Sequence, residues 1–458
     1  MKRLPILFAA LLFATGTAAQ NPTAYFMEGS TFRTQFNPAF APLRGYINLP
    51  VAGRFEVGLS SSLALSDVLY PRDGKLVTLF DRSVSTAEAL RGLKPDNIIG
   101  TETSTAILSF GKFASNRKHF WAFDINLRGS AEIDLPKSLI RFVKCGDEGV
   151  VRNFGAAFDS YVDAGFTYSF PLPGDKLYVG AKAKFVMGLA RAKVNFDRMD
   201  ITLNEERWAV QATGNIDANI PGAEVDYRLD DRGRPYFELG DIDMGSFKPA
   251  GYGFALDLGA TYDVLRDLQV SLAVTDLGFI SWNAAGSVRG TSHADVEYTG
   301  ITVENGTAAS SPDFSFDDIL RFNPSGEQGR ARMMHASLHA GAEYFVWNHR
   351  VGFGLLYRAR FQEYKTLHSL TGSVNFSPVD WFTLAASYTV AGGRGNSLGL
   401  ALNFCPGWIN FFVGTDLTAA RFSPQFIPVN RRAAHVTFGL GFPLGKRGLR
   451  DSRASNRK

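Results

Sequence analysis

Period-two alternation constrains this chain more than any other feature of its sequence. Between residues 254 and 263, Phe254, Leu256, Leu258, Ala260 and Tyr262 fall on one parity, and Ala255, Asp257, Gly259, Thr261 and Asp263 on the other. After a four-residue turn at 264–267, Leu268, Val270, Leu272 and Val274 alternate with Gln269, Ser271, Ala273 and Thr275. Successive side chains of a strand point to opposite faces, so this stretch reads as two antiparallel strands with one apolar face. The other face is small or polar throughout, as expected where one side meets lipid and the other a wet lumen. The expected fold is all-β, a transmembrane antiparallel β-barrel.

The same pattern recurs at 55–65, 104–111, 119–131, 158–170, 177–190, 252–263, 268–275, 336–346, 351–361, 369–376, 381–390, 397–404, 409–415 and 435–442. That predicts about 14 strands, or 16 if a further pair lies between residues 194 and 249. Connection lengths support a barrel over a soluble sandwich. With the first strand running outward, every inward-to-outward connection is short: 113–118, 171–176, 264–267, 347–350, 377–380 and 405–408. The opposite set holds the longest, 66–103, 132–157, 191–251 and 276–335. Short periplasmic turns and longer outer loops belong to bacterial outer-membrane barrels.

Residues 1–19 carry Lys2 and Arg3, an apolar run and then small residues, the pattern of a signal peptide cut after Ala19. The apolar run is shorter than the roughly 17 to 25 residues a spanning helix needs. Aromatic content of 13% and a mean hydropathy of −0.05 suit strands that alternate their hydrophobicity. The whole-chain charge of +4 is concentrated at the ends. Without the leader and the basic tail at 446–458, the body is acidic, which argues against nucleic acid as a partner. Two cysteines, Cys145 and Cys405, rule out a disulfide framework, and the topology puts them at opposite barrel ends.

Opposite the apolar parity stand Lys182, Lys184, Asp257, His335, His339, Glu343, Arg358 and Arg360, which are expected to face the lumen, as structural ion pairs or as ligand contacts. His335, His339 and Glu343 resemble a helical metal set, but on a strand at ~3.4 Å per residue the outer two lie roughly 27 Å apart, so no metal site is assigned. Asp226, Asp230 and Asp231, and the run 240–245, match no calcium-loop pattern and read as solvated loop acids. No Gly-x-Ser-x-Gly elbow occurs, and no catalytic residues or cofactors are expected. Helix-like composition at 85–93, 135–144 and 317–322, the last near Phe314 and Phe316, marks elements of the outer loops. Charge substitutions at Leu256, Leu272 or Leu355 are expected to hinder assembly, and those at Thr261 or Ser271 to be mild.

Residues 25–42 are rich in aromatics and include Asn37, Pro38 and Ala39 just ahead of the first strand. Residues 20–53 are therefore expected to form a hatch within a barrel formed by 54–445, with 446–458 as a flexible basic tail. Here the chain resembles the long-chain fatty-acid transporter superfamily, whose barrels carry an Asn-Pro-Ala hatch element before fourteen strands. It is similar also to an uncharacterised branch of Bacteroidota barrels, through residues 36–42, 274–282 and 410–416. The resemblance implies passage of small, in part hydrophobic molecules past the hatch and sideways into the outer membrane of a Gram-negative bacterium. The alternative is a scaffold that binds other envelope proteins, as in type IX secretion or gliding systems. Either role implies outer-membrane lipid as surroundings.

Overall fold

The computed structural model describes residues 22–449 except 146–148, 204–207, 223, 231, 239–241, 244–247, 299–302, 305–306, 309–320, 327, 393–394 and 419–432. The expected leader at 1–19, the end of the tail at 450–458, Asp231, most of the run 240–245, and Phe314, Phe316 and residues 317–320 of the expected 317–322 helix lie outside the described residues; Phe322 is bridged to Phe237 as extended chain.

Fourteen antiparallel strands close into a barrel. They are β1 (Gly45–Asn48 and Phe55–Ser61), β2 (Asp96–Phe113), β3 (Phe120–Pro136), β4 (Gly149–Pro171), β5 (Leu177–Leu203), β6 (Gly251–Leu265) and β7 (Leu268–Trp282). Then come β8 (Arg330–Met333 and Ser337–Val346), β9 (Val351–Phe361), β10 (Thr366–Val379), β11 (Phe382–Ala391), β12 (Gly395–Phe404), β13 (Asn410–Thr418) and β14 (Ala433–Leu444). Closure is made by β1, which pairs with both β2 and β14. A closed ring leaves no unpaired strand edge in the hydrocarbon, where an unmet backbone group is costly. The first strand starts earlier than its alternation suggests. Gly45–Asn48 already pairs on both sides, and the break at 49–54 hides it from a period-two reading.

Burial is inverted relative to a soluble protein. Phe254, Leu256, Leu258, Leu272, Phe353, Leu355, Leu384 and Leu400 are exposed, whereas Asp257, Thr261, Ser271, Thr371, Ser387 and Asn403 are buried. Apolar side chains cover the outside and polar ones fill the inside, as bilayer immersion requires. No helix of the described residues is long and apolar enough to cross a membrane; the crossing is made by strands.

The long middle strands project beyond the barrel. β4 and β5 have 23 and 27 residues, against about 9 to 11 needed to span. Past Gly188, β5 leaves β6 and pairs with Trp208–Asn219, which in turn pairs with Ser287–Tyr298. Within 194–249, the end of β5 and Trp208–Asn219 do form a pair, but it extends the sheet outside the barrel and the ring stays at fourteen. Phe196, Met199, Ile201, Val210, Ile216, Phe237, Val288 and Phe322 form its own apolar core. Two short helices occupy the outer loops, α1 (Thr86–Arg91), capped by the Ser85 side chain, and α2 (Lys137–Cys145). Cys145 ends α2 and Cys405 lies in the turn after β12; both are free thiols.

Candidate functional site

Nineteen consecutive residues, 22–40, are buried inside the barrel. Two single-turn 3-10 helices, Pro22–Ala24 and Thr31–Gln35, fold this segment, the second capped by the Ser30 hydroxyl, which accepts from the Phe32 N–H at 3.1 Å. Aromatic packing holds it together. Tyr25 lies 4.8 Å from Phe26, 5.6 Å from Phe36 and 5.1 Å from Phe40, centroid to centroid, and Arg33 stands 4.1 Å over the Phe40 ring while its Nε donates to the Tyr25 carbonyl at 3.0 Å. T-shaped ring pairs of this kind add to the area they bury.

Asn37, Pro38 and Ala39 seat the segment against β5, β6 and β7. The Asn37 Oδ1 accepts from the Ala39 N–H at 2.9 Å, closing a turn, and Nδ2 donates to the backbone carbonyls of Ala260 at 3.2 Å and Leu272 at 3.4 Å. The wall admits this approach because it lacks side chains there. A Cβ at Gly259 would stand 2.0 Å from Asn37 Oδ1, and one at Gly180 2.4 Å from the Pro38 carbonyl. Further polar links run from the Tyr25 hydroxyl to Ser271 at 3.0 Å, from Gln35 Nε2 to Glu56 at 3.2 Å and from Asn410 Nδ2 to the Gly29 carbonyl at 3.4 Å. Ser271 and Thr261 therefore face the segment; Thr261 lines a small cavity beside Arg33 and Phe40. A charge at either position would therefore meet the buried segment, so its effect is expected on the seating of that segment and not on assembly.

Beside the segment runs a buried charge network. Lys182 Nζ lies 2.6 Å from Asp124, and Arg54 reaches the same carboxylate at 3.6 Å. Asn126 bridges by hydrogen bonds to Arg54, Asp124 and, at 2.9 Å, Asp163. Arg128 pairs with Asp163 at 2.7 Å and Asp276 at 3.1 Å, and Lys184 with Asp257 at 2.7 Å and Asp276 at 2.6 Å. Buried charges persist only when compensated like this.

Above the segment opens a chamber of about 410 Å³. Gln35 and Glu56 form part of its floor, Arg128, Arg191, Arg358 and Arg360 its charged wall, and Ile280, Trp282 and Met334 an apolar strip. Arg360 pairs with Glu102; Arg191 reaches Asp159 at 3.2 Å and Asp217 at 3.3 Å.

The lumen-facing residues read from the sequence divide by level. Lys182, Lys184 and Asp257 join the ion network, and Lys184 and Asp257 meet directly. His335, Arg358 and Arg360 line the chamber. His339 is fully buried, stacked 6.1 Å from Tyr25 and edge-on 5.7 Å from Phe36. Glu343 is buried and accepts from Asn375 at 3.1 Å. The residues missed include Asp124, Asn126, Arg128 and Asp163. Their signal was present: they share the parity opposite Phe123, Ile125, Leu127 and Phe166.

Asp276, the first residue of the expected 276–335 loop, lies within β7 instead. Strand β7 continues to Trp282 across a bulge at which Asp257 on β6 faces both Thr275 and Asp276. Asp276 there has a φ of 59°, a left-handed conformation that aspartate tolerates better than most residues. The extra residue shifts the parity, so alternation fails at that point.

A profile of a family of unknown function, DUF5723, matches residues 38–416. Among solved structures, the Ralstonia pickettii toluene transporter TbuX is 10% identical, with 94% of this chain and 96% of that chain covered and a TM-score of 0.42. The P. putida toluene transporter TodX is 9% identical, with coverage of 90% and 92% and a TM-score of 0.40. A Pseudomonas aeruginosa FadL homologue is 10% identical, with coverage of 93% and 99% and a TM-score of 0.44. No curated protein sequence matches the chain. The profile match runs from Pro38 in the seated motif to Asp416 in β13, most of the chain's length, and the chain belongs to this family of unknown function, DUF5723.

Proposed function

We propose that this protein is an outer-membrane barrel of a Gram-negative bacterium and a passive channel for small, in part hydrophobic molecules, with residues 22–44 as its hatch. The observation that carries this reading is the stacking of a chamber on a non-covalently seated plug within one closed barrel. The chamber's volume of about 410 Å³ falls in the range of small-molecule sites, roughly 300 to 1,000 Å³. Its apolar strip of Ile280, Trp282 and Met334 lines the same cavity as Arg358 and Arg360, so it suits a solute with both apolar and polar parts. Toluene transporters are among the barrels of similar outline, which agrees with this reading without fixing a solute.

The test is flux of labelled solutes into liposomes, comparing the mature chain with one lacking residues 20–42. Flux in the mature chain that the truncation raises or abolishes supports a hatched channel. Equal flux, or none from either folded form, overturns it.

A second reading, a protein-binding scaffold, draws on the sheet that β4, β5, Trp208–Asn219 and Ser287–Tyr298 build outside the barrel. A channel alone does not need that extension and its separate apolar core. Crosslinking in intact cells from residues of this sheet would recover a stable envelope partner if the reading holds, and only lipid-associated monomer if it does not.

A further inference from the structure

Asp416 lies on the inner face of β13, almost wholly buried. Its Oδ1 accepts the Thr23 hydroxyl of the hatch at 2.6 Å and lies 3.5 Å from Ser387 Oγ, and the two hydroxyls are 2.6 Å apart. Its Oδ2 has no hydrogen-bond partner, and the carboxyl makes no ion pair among the described residues. Gly399 leaves room for this cluster: a Cβ there would stand 1.9 Å from Asp416 Oδ1 and 2.0 Å from Thr23 Oγ1.

The contrast with the rest of the lumen is chemical. Asp124, Asp163, Asp257 and Asp276 each touch a lysine or arginine. Around Asp416, the hatch presents Thr23, β11 presents Ser387 and β12 presents Gly399, with Ser373 of β10 next in the register beyond Ser387. In the register, His435 on β14 stands directly opposite Asp416, and beyond it, across Gly58 of β1, comes Glu102 of β2, itself paired with Arg360. Of the charged hatch residues, Glu28 and Arg33 line the small cavity beside Tyr178 and Thr261 on β5 and β6, and Arg44 lines another with Asp380 and Cys405. A carboxylate cut off from water with only two hydroxyl donors, both on one oxygen and the second at 3.5 Å, loses most of its hydration and gains little in return. A neutral carboxyl, or a carboxylate facing a protonated His435, incurs no such penalty, so one proton shared by the two residues suffices.

We propose that Asp416 is a proton-controlled latch for the hatch. With one proton on the Asp416–His435 pair, Thr23 stays bound and the hatch is seated. When that proton leaves to solvent, the uncompensated carboxylate draws in water, the Thr23 contact is lost and the hatch loosens. The proposal rests on reading residues 22–44 as a displaceable hatch, and its readout is the hatch itself, so it can fail while channel activity stands and can stand where no flux is seen.

The experiment is hydrogen exchange on the mature protein in lipid bilayers, followed on peptides from residues 22–44 between about pH 6 and pH 9 and corrected for intrinsic exchange. Hatch protection should hold at the lower end and, above a threshold, fall by about tenfold per pH unit, the slope of a one-proton linkage. Asp416→Asn keeps an acceptor for Thr23 without an ionisable group and should abolish the fall. Thr23→Val leaves the barrel wall intact while cutting the link, and should also abolish it, which keeps the idea testable if Asp416→Asn does not assemble. Wild-type protection that is flat across the range, or the same fall in either variant, overturns the latch.

Discussion

The backbone N–H of Asp276 donates to the carboxylate of Asp257 at 2.7 Å, and this contact sits at the bulge where β6 and β7 change register. Lys184 bridges both carboxylates and Arg128 holds Asp276 from the other side. Below the bulge, Gln269, Ser271, Ala273 and Thr275 point inward; above it, Ile280 and Trp282 do. The extra residue thus turns apolar side chains into the lumen and creates the chamber's apolar strip. A device that looks like a defect in the alternation is what gives the chamber its mixed character.

Removing Asp276 should therefore cost more than an ordinary lumen substitution. Asp276→Ala leaves Arg128 and Lys184 each with one carboxylate fewer in a buried site, and a broken buried pair costs about 3 to 5 kcal/mol. Urea unfolding in lipid vesicles should show the midpoint lowered accordingly. A change within about 1 kcal/mol would mean that water already solvates the network.

Leu272→Arg and Leu355→Arg place a charge on the exposed apolar face, with an expected loss of about 2 to 4 kcal/mol at mid-membrane. Ser271→Arg acts differently, since Ser271 holds the Tyr25 hydroxyl. The lipid-face variants should lower assembly yield, measured as the folded band in cold gel electrophoresis. Ser271→Arg should assemble and loosen the hatch, seen as faster proteolysis of the N-terminal segment.

Gly259→Val tests the seat of Asn37. Its Cβ would overlap Asn37 Oδ1, and the hatch is softer than a closed strand ladder, so the hatch should give way. The expected result is near-normal barrel stability with raised liposome flux. Asn37→Ala, which removes the bonds to the Ala260 and Leu272 carbonyls, should do the same more weakly, by about 1 kcal/mol of seating per hydrogen bond.

At the outer mouth, His335 and the Lys193 ammonium, 2.8 Å away, hold the Glu363 carboxyl well below the usual carboxylate range. A depressed carboxylate contributes stability that is fully present above its unfolded value, about 4.3, and is lost as pH falls through the folded one. Exchange protection at residues 362–365 should therefore decline on acidification below about pH 4, and Glu363→Gln should have less protection at neutral pH and no such decline.

Much of the barrel was legible because bilayer immersion writes itself into parity. Each strand from 104–111 to 435–442 was visible as alternation, and the inward face of Lys182, Lys184, Asp257, His339 and Arg358 followed from their parity within each strand. The failures mark where parity stops carrying information. Gly45–Asn48 is separated from the rest of β1 by a break, and Asp276 reverses the phase of β7. Phe412 breaks the pattern for another reason. It is apolar and inward because it packs 4.5 Å from Phe32 of the hatch, so its partner is protein and not water.

The sequence by itself determined the class of fold, the strand order and the side of the wall each regular residue takes, because a two-residue period and short alternate turns are local properties. Only the tertiary structure decided what the inside is made of. Asn37 on Gly259, Thr23 on Asp416 and Lys184 between Asp257 and Asp276 join residues from distant parts of the chain. Their meeting depends on ring closure and on a bulge that no period records, and those contacts fix where the hatch sits and where the chamber opens.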